Sequence, residues 1–283
     1  MLPAHASATE IARKNSEMYD DTASPVWYMA VYEPIHDGWE FINLGGKDVL
    51  DRMAAEAGLA PGTRAIEFCS GQGATCRYLA TRYDCAVTGI ERNAGQIANA
   101  IRRLRQVDAA VADRVRFVHA NVLDFQPDRQ YDCCYSVDSM MLIEDVPAAL
   151  STAYRALRPG GCLMFATIAA GRRIDSATRS FAWEADGMIT LGAPSEYCEW
   201  MEAAGFRGVA AEDITSLAVN RSIEIDAAVE RNCEAIVSAG GEEAYRGWRD
   251  IGGAYLRAFQ TGRLSYLLVT GRKAGQGAES DYA

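Results

Sequence analysis

The sequence predicts an α/β fold, a mainly parallel sheet with one antiparallel strand plus a helical lid. Three observations predict it. Ala65–Gly73, A-I-E-F-C-S-G-Q-G, is a short apolar run that enters a small-residue turn and then a helix starting at Ala74, and strand–glycine turn–helix is the opening unit of a parallel sheet. Short apolar runs and amphipathic runs then alternate along the chain. Finally, Gly208–Thr215 and Leu264–Arg272 form a closing pair of strands, consistent with one antiparallel member.

Taken in order, Lys47–Gly58 carries Val49, Leu50, Met53 and Ala54 at helical spacing and stops at a glycine. Ala65–Cys69 is the first strand, followed by a helix through Ala74–Tyr83 and a second strand, Cys85–Glu91. Asn93–Val107 reads as a helix with Ile97, Ile101 and Leu104 on one face. Val115–Ala120 and Tyr131–Ser136 read as strands separated by a Pro-Asp turn, and Asp145–Leu157 as a helix stopped by Pro159-Gly160-Gly161. Cys162–Ile168 is the fifth strand and Pro194–Gly205 a further helix. The organisation expected is a lid over residues 1–46, a core domain over 47–273 with cap insertions at 172–192 and 221–262, and a frayed tail at 274–283.

Composition narrows the function. A chain of 283 residues with 49% apolar content can bury a sizeable core, and α/β units of about 250 residues are common. A net charge of −10 argues against binding a nucleic-acid backbone, and Arg102–Arg105 reads as a solvated helix face. No apolar run reaches the about 18 residues of a membrane span, and Met1–Asp21 is too polar for a signal peptide, so no membrane association and a cytoplasmic location are expected. The eight cysteines contain no C-x-x-C pair, and Cys133 and Cys134 are neighbours in a strand, facing opposite ways; they read as buried reduced thiols. His5, His36 and His119 share no metal-ligand spacing, so no metal is expected.

The chemistry concentrates around the first two strands. Glu91 closes the second strand about 20 residues after the turn, where a carboxylate accepts hydrogen bonds from ribose hydroxyls. The turn reads E-x-C-x-G-x-G, and Glu67 suits a ligand bearing an ammonium group; a pyrophosphate at that helix start would be repelled by it.

With these motifs, residues 41–170 resemble a class I S-adenosylmethionine-dependent methyltransferase with a Rossmann-like sheet. E-F-C-S-G-Q-G resembles the glycine motif, with Cys69 where glycine is usual. T-G-I-E-R-N resembles the ribose-binding strand end, and Val115–Phe125 the adenine-binding segment, with Asn121 in place of a frequent aspartate. Tyr131–Val146 resembles the fourth strand and its loop, and Ala156–Ile168 the turn into the fifth. The resemblance implies S-adenosylmethionine as cofactor, held by Glu67, Cys69, Gly71, Gly73, Glu91, Arg92, Gln96, Asn121, Val122 and Val137.

V-Y-E-P-I and F-I-N-L-G-G resemble the N-terminal lid of phosphoethanolamine and glycine/dimethylglycine N-methyltransferases, which adds Tyr32 and Asn43 to the cofactor set. S-V-D-S-M-M-L-I-E-D resembles their substrate loop, so Asp138 matches their substrate-side aspartate. Leu142 stands where those enzymes carry histidine, so their tyrosine–histidine latch cannot form and the phosphobase substrate is not inherited. His36 is the best base by residue type, and Glu33 and Asp138 could hold a substrate amine by charge. Trp27, Tyr28, Trp183, Trp248 and Tyr255 are the aromatic candidates for a water-excluding substrate wall.

The expected activity is methyl transfer to a small molecule, nitrogen slightly preferred over oxygen, in natural-product biosynthesis, by a monomer or homodimer. The alternatives are carbon methylation of an isoprenoid-like substrate, for which Met141 lacks the expected glutamate, and a methyltransferase-like protein that binds the cofactor and catalyses a cyclisation. Protein or RNA methylation is disfavoured by the negative charge.

Overall fold

The computed structural model describes residues 43–275. Helix α1 (Gly46–Ala57) precedes a seven-stranded sheet, and its buried Val49, Leu50 and Met53 follow the expected face. Strand β1 (Arg64–Phe68), helix α2 (Ala74–Tyr83), strand β2 (Ala86–Glu91) and helix α3 (Ala94–Leu104) follow in strict alternation. Asn93 caps α3 by accepting from the amides of Gly95 and Gln96. A one-turn helix, α4 (Ala109–Ala112), capped by Asp108, was not foreseen; four residues carry too little periodicity to announce it. Strands β3 (Val115–His119) and β4 (Tyr131–Val137), helix α5 (Val146–Ala156) and strand β5 (Leu157–Ala170) complete the first part.

Here one expectation is corrected. Pro159-Gly160-Gly161 does not stop the helix: α5 ends at Ala156 and the three residues lie inside β5, where the β4–β5 register shifts between Tyr131 and Cys133. An irregular stretch at a strand start tolerates a proline and glycines that a regular ladder would reject. Helices α6 (Ser176–Asp186) and α7 (Pro194–Ala203), strand β6 (Phe206–Asp213), helices α8 (Thr215–Arg231) and α9 (Cys233–Gln260), and strand β7 (Leu264–Lys273) close the chain. Strand β6 starts two residues earlier than expected, because Gly208 reads as a breaker but sits in a register shift against β7. Helix α8 begins at Thr215, where Asp213 accepts from the Thr215 amide.

The strand order is β3-β2-β1-β4-β5-β7-β6. All pairs are parallel except those of β7, which runs antiparallel to both β5 and β6. The side chains of successive residues divide two cores. One holds Leu50, Leu79, Cys133, Tyr135, Met164 and Tyr266 beneath α1, α2 and the cap helices. The other holds Ile66, Phe68, Cys134, Phe165, Tyr197 and Leu267 against α5 and α7. The adjacent Cys133 and Cys134 therefore do face opposite ways, as a strand's alternation requires. All eight cysteines are free thiols; Cys69, Cys198 and Cys233 are half-buried and the others buried. No described helix is long and apolar enough to cross a membrane, and the described residues contain no group of three or more His, Cys, Asp and Glu placed to hold a metal ion.

Candidate functional site

The order reverses direction between β1 and β4, and in open α/β sheets ligands bind beyond the strand ends at such a switch point. Both strands end there in backbone that side chains resist. Cys69 (φ 58°) follows β1 and Asp138 (φ 50°) follows β4, the left-handed region in which a non-glycine residue costs about 1–2 kcal/mol. Strain of this kind concentrates at functional sites. The usual glycine of the resembling motif at position 69 has its physical reason in that φ.

The glycine turn itself is built for close approach. Gly71 (φ 49°) has open space where a Cβ would stand, whereas at Gly73 (φ 71°) a Cβ would overlap the Phe117 ring. Gly71 thus leaves bare backbone at the site, and Gly73 packs the turn onto β3. Glu91 locks the turn from the neighbouring strand: its Oε2 accepts from the Gly71 amide at 3.0 Å and its Oε1 from the Asn93 amide at 2.8 Å.

Glu67 lies deeper. It is 4% exposed, and the Cys76 thiol donates to its Oε2 at 2.8 Å. Burial raises its pKa to about 8, against the opposing influence of Cys76, Thr75 and the Tyr135 hydroxyl, with the Glu91 charge pushing the same way as burial. The sequence alone suggested a standing anion here. In the ligand-free protein the carboxyl instead holds its proton at neutral pH, and a cationic ligand is what would favour its ionisation. The Cys69 thiol is likewise pushed far up by burial and stays protonated.

The remaining predicted residues are distributed around this centre. Gln96 stands in the first turn of α3 with its amide oxygen buried and unpartnered. Arg92 follows β2, pairs with Glu144 at 3.9 Å on the surface, and its carbonyl meets His119 Nε2 at 2.9 Å. Asn121 turns its Oδ1 onto the Leu123 amide at 3.0 Å, and Val122 is buried beneath it in the second core. The Val137 carbonyl accepts from the Ser139 hydroxyl at 3.0 Å. Asn43 is buried with an unpartnered Oδ1. Asp138 accepts from the Leu44 amide at 2.7 Å, and burial raises its pKa to about 7 while the Leu44 amide and Tyr266 hydroxyl act to lower it.

Of the aromatic candidates, Tyr255 on α9 packs against Phe181 of α6 (centroids 5.0 Å apart) and stacks on Phe259 (6.5 Å). Trp183 is half-buried on α6. Trp248, on α9, packs against the small cluster of Val229 and Ile236 in the α8–α9 pair, beside Ile225 and Tyr245. Trp27, Tyr28, Tyr32, Glu33 and His36 lie outside the described residues. The sequence does not single out Tyr266, one more apolar-strand aromatic in L-S-Y-L-L-V, nor Ser70 and Ser136, whose hydroxyls are buried with it.

The polar groups test whether an adenosyl amino acid fits. Among the described residues, buried side-chain atoms of Asn43, Ser70, Gln96, Tyr135, Ser136, Asp138 and Tyr266 have no hydrogen-bond partner. All seven belong to, or adjoin, the strand ends and turns just described. Buried polar groups are costly unless partnered, so a site with this many spare donors and acceptors beside bare glycine backbone suits a polar ligand.

Comparison with known proteins bears on this geometry. A family profile described as a methyltransferase domain matches residues 39–211. Phosphoethanolamine N-methyltransferase 1 of Arabidopsis thaliana is 27% identical over 217 residues, covering 75% of this chain and 43% of that protein. The 27-O-demethylrifamycin SV methyltransferase of Amycolatopsis mediterranei is 28% identical over 169 residues, covering 58% of this chain and 61% of that protein. In structure, phosphoethanolamine N-methyltransferase 2 of Haemonchus contortus, solved with phosphomonomethylethanolamine and S-adenosylhomocysteine, superposes with a TM-score of 0.82 at 20% identity, covering 93% of this chain and 60% of that one. The chain spans less than half the length of the plant relative it matches.

Proposed function

The chain belongs to the methyltransferase-domain family, and from that premise we propose that it transfers the methyl group of S-adenosylmethionine to a small-molecule acceptor, nitrogen in preference to oxygen, in natural-product biosynthesis. The observation that carries the reading is the switch-point site, where the open Gly71 backbone and the Glu91 carboxylate stand beside unpartnered buried polar groups. When bound, the cofactor supplies an electrophilic methyl on a sulfonium. Glu91 would accept from the ribose hydroxyls, the Gly71 backbone would give the ligand room, and Asn121 and Val122 would meet the adenine edge. Glu67, Gln96 and Asn43 would serve the amino-acid portion.

Because the methyl donor is already activated, this chain's contribution is alignment, exclusion of water and management of one proton. Asp138, just past β4, would hold an acceptor amine; Tyr255, Phe181 and Phe259 supply apolar packing on the cap side. The curated relatives include enzymes named for methylating phosphoethanolamine and a rifamycin precursor, which supports a small-molecule acceptor without choosing one. Leu142 in place of the relatives' histidine favours an acceptor other than a phosphobase.

The test has two steps. Equilibrium dialysis with S-adenosylhomocysteine should show uptake, and a panel of amine and hydroxyl acceptors should yield S-adenosylhomocysteine from S-adenosylmethionine, amines first. No uptake would overturn the whole reading, and uptake without turnover on any acceptor would favour the cyclisation alternative.

A further inference from the structure

Helix α2 starts on the glycine turn, and Gly73 at its N-cap offers no side chain to its first amides. The first turn of that helix covers the middle of β1. There Glu67 stands beside Tyr135, its partner in the parallel β1–β4 register, and residues paired in register share a face of the sheet. The Cys76 thiol, from α2, reaches this pair and donates to Glu67 Oε2 at 2.8 Å. Cys76 is fully buried, Glu67 is 4% exposed and Tyr135 2%. Among the described residues the Tyr135 hydroxyl has no hydrogen-bond partner, so a second buried donor lies spare beside the same carboxyl.

The charges around this cluster oppose an anion. Glu91 of β2 acts against ionisation of Glu67, whereas Cys76, Thr75 and Tyr135 act in its favour. None of these neighbours is a cation, so the positive charge that favours ionisation has to arrive with a ligand. Burial, and then the Glu67 charge, push the Cys76 thiol well above its ordinary range, so it keeps its proton and remains a donor.

We propose that Cys76 is a positioning residue of the cofactor site: its thiol fixes one oxygen of Glu67, and uptake of the cofactor's ammonium drives the Glu67 proton out to solvent. The inference rests on the methyl-transfer reading and deepens it by tying cofactor binding to the release of one proton. In that step the carboxyl O–H bond breaks, its electron pair stays on oxygen, and water or buffer takes the proton. The ligand ammonium keeps its own protons and pairs with the carboxylate. The Cys76 donor lowers the cost of the step, because a hydrogen bond to the charged form favours it.

The test is calorimetry of S-adenosylhomocysteine binding to the full chain, over a pH series and in two buffers of different ionisation enthalpy, which counts the protons released. The wild type should release a proton at neutral pH, bind more tightly as pH rises, and lose the release above about 8. Cys76→Ala should move the rise in affinity to higher pH and weaken binding about tenfold at neutral pH, through loss of a donor to a charged group. Cys76→Ser restores a donor, and a stronger one. It should bring the rise back to the wild-type pH or below, and it decides the matter if the alanine variant does not fold. Glu67→Gln should release no proton. The ligand's own ammonium titrates alike against every variant, so differences between variants belong to the protein. A Cys76→Ala midpoint equal to the wild type's, whatever its affinity, would overturn the inference and leave the cofactor reading standing. So would a midpoint raised in Cys76→Ser, or binding to the wild type without proton release. Absence of uptake by the wild type at every pH would overturn both.

Discussion

Two carboxylates of the site differ because their surroundings differ. Glu91 is tied to two backbone amides, Gly71 and Asn93, at the edge of the ligand space. Replacing it by alanine should weaken S-adenosylhomocysteine binding by about 1–3 kcal/mol, since ribose hydroxyls and a turn amide lose their acceptor; calorimetry that finds unchanged affinity would remove Glu91 from the site. Glu67 is sealed among thiol and hydroxyl donors with a pKa of about 8, against 4.5 for the unfolded side chain. The folded state therefore binds more protons than the unfolded one between those values, and stability should fall as pH rises through that window. Asp138 adds to the same trend between 3.8 and about 7. Glu67→Gln should flatten the decline in melting temperature across that range, and an unchanged slope would show that Glu67 is ionised in the fold.

The strand–turn–helix element from β1 to α2 carries the site, and its two glycines do different work. At Gly71 the φ is positive but the space is open; at Gly73 the φ is positive and the Phe117 ring fills the space. Gly71→Ala should cost the fold about 1 kcal/mol, the strain of a left-handed alanine, and reduce cofactor uptake. Gly73→Ala should cost about 1–3 kcal/mol or more, because Phe117 must also move. Denaturation with the two variants side by side checks the ranking, and a Gly71 variant at least as unstable as the Gly73 one would contradict the assigned turn. The sequence marked both residues as turn glycines but could not separate them, since Phe117 comes from a strand more than forty residues away.

At the scale of the molecule, a sheet with two apolar faces supports a cap that has its own small core. Trp248, Val229, Ile236 and Tyr245 hold α8 to α9, and α9 changes direction at Gly241 (φ 78°). Trp248→Ala should raise hydrogen exchange in α8 and α9 more than in β1, β4 and β5, because Val229 and Ile236, against which it packs, belong to that pair. Loosening that spread equally into the central strands would show the cap and sheet to be one cooperative unit.

The fold class, the strand sequence and the glycine turn were legible from local pattern: apolar runs, caps and breakers report the backbone near themselves. The positions of Glu67, Gly71, Gly73 and Glu91 on that path were legible for the same reason, as their spacing fixes which strand end or turn each occupies. Tertiary structure alone decided the rest. It raised the proton affinity of Glu67, moved Pro159-Gly160-Gly161 into β5, and set Gly73 against the Phe117 ring. These outcomes depend on burial and on strands paired across long stretches of chain, which exist only once the sheet has closed.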